Sequence, residues 1–303
     1  MKFDIIMYKS IYHTIGVSYL VQKRGQEMAR ADGGAGHGTV AAASGPQTSQ
    51  CSAVPPLPWR WPWHSFFARS LERPLATYVL HVYSSRSREL LIKRYLQQAG
   101  FSRYSLVQAV TNATLDAESR NLNFTWRRSL PRRTVAVALS HVRVLRAIAA
   151  GRERHCLVLE DDVVLARSMR TKVISLLDSI PSNSFDLLFL TFYAHLTDKR
   201  CTCSIPGRPD LRMLVGDGVW SLQPWGRKAP CVLTGMNGYV ATREGARRVL
   251  AVLPSLRSTI DTQIGLAATR TPGGVRLMAA WPPRRLMAHN WTAPSIRVRG
   301  IAT

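Results

Sequence analysis

Between Ala76 and Phe192, short apolar runs alternate with longer amphipathic stretches, and this alternation restricts the fold more than any other feature of the chain. ATYVLHVY (76–83), YSLVQAV (104–110), HCLVLE (155–160) and FDLLFLTF (185–192) have strand length and β-rich composition. SSRSRELLIKRYLQQAG (84–100) separates the first two. Its Leu91, Tyr95 and Gln98, with Leu90 and Ile92 beside them, follow helical spacing, and Gly100 supplies a stop. TVAVALSHVRVLRAIAAG (134–151) carries two adjoining stripes at helical spacing: Ala138, Val142, Leu145 and Ala149, then Val137, His141, Val144 and Ile148. MRTKVISLLDSI (169–180) reads as another helix. A strand–helix–strand order of this kind buries its apolar surface in a parallel sheet covered by helices. The expected class is therefore α/β. Beyond it, TDKRCTCSIPGRPD (197–210) reads as loop, GMNGYVAT (235–242) as strand and REGARRVLAVL (243–253) as helix.

The first 75 residues have another character. Ala31 to about Pro62 is rich in Gly, Ala, Ser and Pro, a composition that buries little and reads as a flexible linker. Trp59, Trp61 and Trp63 cluster at its end, suited to docking on the globular part or to facing a membrane surface. IIMYKSIYHTIGVSYLV (5–21) is short for a membrane span and carries Lys9 and His13, so an anchor is not expected. It also lacks the apolar core and cleavage site of a signal peptide. The expected division is an extension over 1–75 and a catalytic domain over 76–303, with a cytoplasmic location as the default. Sequons at Asn112, Asn123 and Asn290 do not by themselves establish secretion.

The chain holds 41 Lys and Arg against 18 acids, a formal charge of +23. A solvated surface, an anionic small substrate and a nucleic acid are all compatible with that excess. No recognisable nucleic-acid module accompanies it, so no specific nucleic-acid partner is expected. Five cysteines without regular spacing do not make a disulfide framework. Cys201 and Cys203 can join Cys231 in a metal site or a disulfide, and Cys156 reads as a small buried hydrophobe.

Against this basic background, Glu160, Asp161 and Asp162 stand side by side where an apolar strand ends. Adjacent like charges are costly unless a cation or a hydrogen-bond network takes up their field. Ligands of open α/β sheets bind at the carboxyl ends of the strands, where this triplet lies. If the chain stays extended, Glu160 and Asp162 share one face and Asp161 takes the other. Two carboxylates on one face suit a hard cation such as Mn²⁺ or Mg²⁺, which keeps sites open for substrate phosphates. The other reading is an acidic loop in which Asp162 or Ser168 caps the next helix.

ALSHVRVLRAIAAGRERHCLVLEDDVVL (138–165) resembles glycosyltransferase family 25, the lipooligosaccharide and procollagen galactosyltransferases, in its Ser140-His141 helix and its strand ending in Glu160-Asp161-Asp162. YVLHVYSSRSRELLIKRYLQQAG (78–100), with Arg86 and Arg88, resembles the family's opening strand and Arg-bearing loop; TGMNGYVATREGARRVL (234–250) and STIDTQIG (258–265) resemble later segments. The resemblance spans about 76–299. It implies a GT-A-type nucleotide-binding sandwich, with a mostly parallel sheet and helices on both faces, and a UDP-galactose or UDP-glucose donor. Asp162 is then the first metal contact, helped by Glu160 and by His289 near the C-terminus, with Glu160 and Asp161 also near the donor's ribose and sugar. Ser140 and His141 lie beside the donor, Arg86 and Arg88 pair with its diphosphate, and Asp261 is the candidate base for an inverting transfer to a glycan, lipid-linked or protein hydroxyl. For Asp261 the alternative is an acid stabilised at a helix N-terminus. The family's Gly-Glu-Ile-Gly-Cys-like run is replaced here by Arg133-Thr134-Val135-Ala136-Val137. That departure leaves an inactive transferase-like protein as one alternative, and the +23 charge leaves a basic nucleic-acid-binding protein as the other. Neither the acceptor nor the oligomeric state is legible.

Overall fold

The computed structural model describes residues 75–181, 183–191, 202–205, 207–214, 220–222, 228–230, 235–270, 274–280 and 286–289. The N-terminal extension, the tryptophan cluster, Cys51, Cys201, Cys231 and Asn290 lie outside them. β1 (Ala76–His81), α1 (Arg86–Gln98) and β2 (Ser105–Gln108) open the domain, followed by α2 (Leu115–Asn121), β3 (Thr125–Trp126) and α3 (Arg132–Ala150). β4 (His155–Glu160), β5 (Val163–Leu165), α4 (Met169–Asp178) and β6 (Leu187–Phe189) come next. Then follow β7 (Thr202–Ile205), β8 (Arg208–Leu214), β9 (Trp220–Leu222), β10 (Lys228–Pro230) and β11 (Gly238–Thr242). α5 (Arg243–Ala251), β12 (Ser255–Leu256), α6 (Ile260–Arg270), β13 (Leu277–Ala280) and β14 (Met287–His289) complete the order.

Eight strands form one sheet in the order β2-β1-β4-β11-β6-β13-β8-β7. β11 and β8 are reversed relative to the other six. The class is the α/β sandwich read from the sequence, with its sheet mostly in one direction. Side chains alternate along each strand, so β4 sends Cys156 and Val158 to one face and Leu157 and Leu159 to the other. The first face packs on Leu139, Val142 and Leu145 of α3 and Val249 of α5. The second packs on Ile92 and Leu96 of α1 and Val173 and Leu177 of α4. Covering both faces buries the central strands completely, which is why β4 reads as an unbroken apolar run.

Two differences have physical causes. The stretch read as loop, 197–210, holds β7 and the start of β8, an antiparallel pair at the sheet edge turning at Gly207, whose φ of 68° is left-handed. Among the residues of this pair whose burial is described, Cys203, Ile205 and Leu211 are buried, and an edge strand with one covered face and charged neighbours lacks a strong apolar signal. Cys203 is disulfide-bonded, so of the two roles open to it the disulfide is the one found. Val137, placed by spacing in a buried stripe of α3, is 44% exposed because the stripe turns outward near the helix start.

Among the described residues no helix is long and apolar enough to cross a membrane. Cys156 is a free, buried thiol, and burial pushes its pKa up to about 12. The thiolate is the species that alkylates. Iodoacetamide at pH 8 is therefore expected to leave Cys156 unlabelled in the folded protein and to label it in urea, as read by peptide mass. Rapid labelling of the native chain would contradict this burial.

Candidate functional site

The triplet sits where β4 leaves the sheet. The strand ends at Glu160, and Asp161 and Asp162 form a turn before β5. The expectation that Glu160 and Asp162 share one face is therefore corrected, because strand alternation stops one residue too early. Glu160 turns toward α3, while Asp161 and Asp162 both turn toward α1.

Glu160 is 23% exposed and is held on both oxygens. His141 Nε2 lies 3.2 Å from Oε1, and Asn237 Nδ2 donates to Oε2 at 2.8 Å. The backbone N–H of Glu160 donates to the Asn237 carbonyl at 2.9 Å. His141 is fully buried on α3, and its Nδ1 lies 3.2 Å from the Tyr239 hydroxyl. Tyr239 is fully buried on β11, and burial pushes its phenol above the ordinary range, so it stays protonated.

Asp161 is only 4% exposed. His81 Nδ1, at the end of β1, lies 2.6 Å from Oδ2, and the Val82 N–H donates to the same oxygen at 3.4 Å. Arg88 Nη2 pairs with Oδ1. The same Nη2 lies 3.1 Å from Asp162 Oδ2, so one guanidinium group bridges both aspartates. Burial raises the Asp161 pKa, and Arg88 and His81 pull it back. Arg88 is itself 4% exposed. It is thus the internal cation of the triplet, in the first turn of α1.

The other candidates lie as follows. Arg86 is exposed, two residues before Arg88. Ser140 accepts from the Val110 N–H and donates to the Ala136 carbonyl, both at 2.8 Å, so its hydroxyl braces the loop after β2. Asp261 stands in the first turn of α6, where Oδ2 accepts from the Gly235 N–H at 2.7 Å and Oδ1 from the Thr262 N–H at 2.8 Å. This is the helix-terminal placement, with a second function of tying α6 to the turn that carries Asn237. Gly235 has φ 95°, a conformation side-chain-bearing residues rarely adopt. The backbone of His289 in β14 is paired with Val163, the residue after the triplet. Ser168 takes the N-cap position of α4 in the left-handed region at φ 57°, and its side chain makes no capping bond.

Three contributors were not singled out in the sequence: His81, Asn237 and Tyr239. His81 closes an apolar strand, so its position at a strand's carboxyl end was a usable signal. Asn237 and Tyr239 carried none, because β11 reaches Glu160 only through long-range antiparallel pairing.

The resemblance implies a divalent cation, and the donor set can be compared with that requirement. A hard cation wants several carboxylate or carbonyl oxygens. Here both oxygens of Glu160 and of Asp161, and Oδ2 of Asp162, meet N–H donors or a guanidinium. Among the described residues no three His, Cys, Asp or Glu side chains are grouped to hold a metal ion. As arranged, the triplet fits an arginine and does not fit a resident divalent cation. Arg88 Nε, Arg88 Nη1 and His81 Nε2 are buried without a hydrogen-bond partner among the described residues. Buried donors of this kind call for an acceptor from outside the chain.

No protein-family model matches the sequence, and no curated protein matches it. Among solved structures, the chain is similar to UDP-glucose pyrophosphorylase complexed with UDP-glucose, at a TM-score of 0.35 and 10% identity, covering 68% of this chain and 89% of that one. It is also similar to a nucleoside-diphosphate-sugar pyrophosphorylase from Vibrio cholerae, at a TM-score of 0.32 and 11% identity, covering 73% and 78%. At these identities and TM-scores neither likeness bears on what this chain binds or does.

Proposed function

We propose that this chain is a glycosyltransferase that moves a hexose from a UDP-sugar, UDP-galactose or UDP-glucose, to a hydroxyl of a glycan, lipid-linked or protein acceptor, with inversion. The observation that carries the reading is the convergence on the triplet. Partners from β1, α1, α3 and the turn before β11 hold three adjacent carboxylates at the carboxyl edge of the sheet. A solvated acidic loop needs no buried arginine and no buried histidines. Convergence of this kind builds a ligand site.

The chain's own groups suggest how such a site works. The N–H groups of Arg88 and the His81 nitrogen that have no partner among the described residues are the donors left for an oxygen-rich ligand such as a diphosphate. Preorganised donors stabilise the charge that builds on the diphosphate as the sugar leaves. Exposed Arg86 is the arginine free to reach it from the same turn. Glu160, oriented by His141 and Asn237, faces the sugar and ribose hydroxyls. Asp261 remains the candidate base; to act, it must exchange one backbone N–H for the acceptor hydroxyl. The donor set as it stands offers no ready cage for Mn²⁺ or Mg²⁺, so no step is assigned to a cation.

The test is donor hydrolysis across UDP- and GDP-sugars, in Mn²⁺ and in EDTA, for wild type and Asp162→Ala. One UDP-sugar is expected to be hydrolysed slowly, with a loss of about 100-fold in the variant. The EDTA arm reads whether Arg88 suffices as counter-charge. Equal hydrolysis by the variant sinks the reading that the Arg88-bridged triplet serves the donor. No hydrolysis and no calorimetric UDP binding sinks the transferase reading, whereas UDP binding without turnover identifies an inactive relative.

A further inference from the structure

The rim beside Asp261 carries a cluster of arginines that the donor site does not use. Arg127, Arg128, Arg132 and Arg133 flank the turn that leads into α3, and Arg257 lies at the end of β12. These segments are joined. β12 pairs with β3, and the Arg127 N–H donates to the Leu256 carbonyl at 2.8 Å. α6 and its Asp261 begin within four residues of Arg257. All five arginines are exposed. Arg132 pairs with Asp116 at 2.9 Å. Arg127, Arg128, Arg133 and Arg257 have no carboxylate partner among the described residues.

The arrangement works against the fold taken alone. Four uncompensated guanidinium groups on adjacent segments repel one another. Arg132 and Arg133 also occupy the first turn of a 19-residue helix that has no acid there, against the helix dipole. An anion brought to this rim removes both penalties, and planar guanidinium groups match phosphate and carboxylate oxygens in pairs.

We infer that the acceptor is anionic: it carries a phosphate or carboxylate that Arg127, Arg128, Arg133 and Arg257 bind beside Asp261, next to the hydroxyl that receives the sugar. This rests on the transferase reading and names the substrate class for it. A nucleic acid is the competing source of anionic charge. The rim's place beside the candidate base favours the acceptor, and Trp126, the half-buried aromatic next to Arg127, packs against the core and does not stand out as a stacking face for bases.

The experiment measures UDP release from the preferred donor by the full chain, with glucose, glucose 6-phosphate and glucuronic acid as acceptor probes. The anionic probes are expected to stimulate release at an apparent KM about 10-fold below that of glucose. The Arg128→Ala/Arg257→Ala variant should abolish this preference while its acceptor-free donor hydrolysis stays at the wild-type rate. Salt at 0.5 M should weaken it as well, because the rim is solvent-exposed. Calorimetry of glucose 6-phosphate against glucose, on wild type and variant, reads the rim even if no donor turns over. Tighter binding of the phosphate form, lost in the variant, supports the inference. Loss of donor hydrolysis with that binding intact points to the transferase reading as the failure. Equal use or binding of neutral and anionic probes overturns the inference. A short single-stranded RNA that binds the same arginines and displaces glucose 6-phosphate overturns it in favour of nucleic acid.

Discussion

Replacing Arg88 with Met is expected to lower stability by about 3–5 kcal/mol, because it leaves the buried Asp161 carboxylate without its cation. For a domain of this size that is a fall in Tm of roughly 6–20 °C. The reasoning rests on burial. Arg88 and Asp161 are each 4% exposed, so water cannot replace the lost partner. Asp162 loses its Oδ2 contact in the same step. His81, within 2.6 Å of Asp161, is too little to hold the turn alone. A second substitution distinguishes a lost pair from lost packing. Asp161→Asn in the Arg88→Met background removes the orphan charge, and much of the lost Tm should return; the two changes are then strongly non-additive. Thermal melts followed by circular dichroism check both. An Arg88→Met protein melting within about 2 °C of wild type would show that the triplet does not depend on this arginine.

A large effect is also expected at the far end of the sheet. Gly245→Ala should cost about 3 kcal/mol or more, the upper end for an overpacked site. A methyl group there falls on the backbone of Asp186, 2.6 Å from its carbonyl carbon. That backbone cannot retreat. The Thr242 N–H donates to the Asp186 carbonyl, and the fully buried Asp186 side chain is held by Arg276 and Arg248. Gly245 also gives its own N–H to Thr242 Oγ1, the cap of α5. Gly238→Ala is the control. Its methyl meets the sulfur and terminal carbon of Met287, the far end of a flexible side chain, so the cost should be nearer 1 kcal/mol. Chemical denaturation of the two variants should rank them in that order, and the reverse ranking would refute the packing argument.

Local pattern carried much of the fold. β4, α3 and α1 were legible because their apolar spacing is strong and each packs a face close in sequence to its own signal. β7 and β8 were not, since an edge pair with Cys203, Ile205 and Leu211 as its buried residues looks like a polar loop until its partner strand is known. The site divides the same way. Glu160, Asp161 and Asp162 announce themselves by mutual repulsion. What neutralises them is set by contacts 19 to 80 positions away in sequence, from Arg88, His81, Asn237 and His141, and single-sequence reading does not reach across such separations. The turn at Asp161 was missed for a smaller reason: strand alternation was carried one residue beyond the strand's end.

The bond between Asp261 and the Gly235 N–H makes one short train of parts. α6 holds Gly235, Gly235 sets the turn, and Asn237 in that turn grips Glu160 by side chain and backbone. A displacement of α6 is therefore passed along these hydrogen bonds to the Glu160 carboxylate. Whatever free energy one ligand spends in tightening this train is returned when the second arrives, and reciprocity requires the same factor in both orders of arrival. On the transferase reading proposed above, donor and acceptor would each change the grip on the other through this one path.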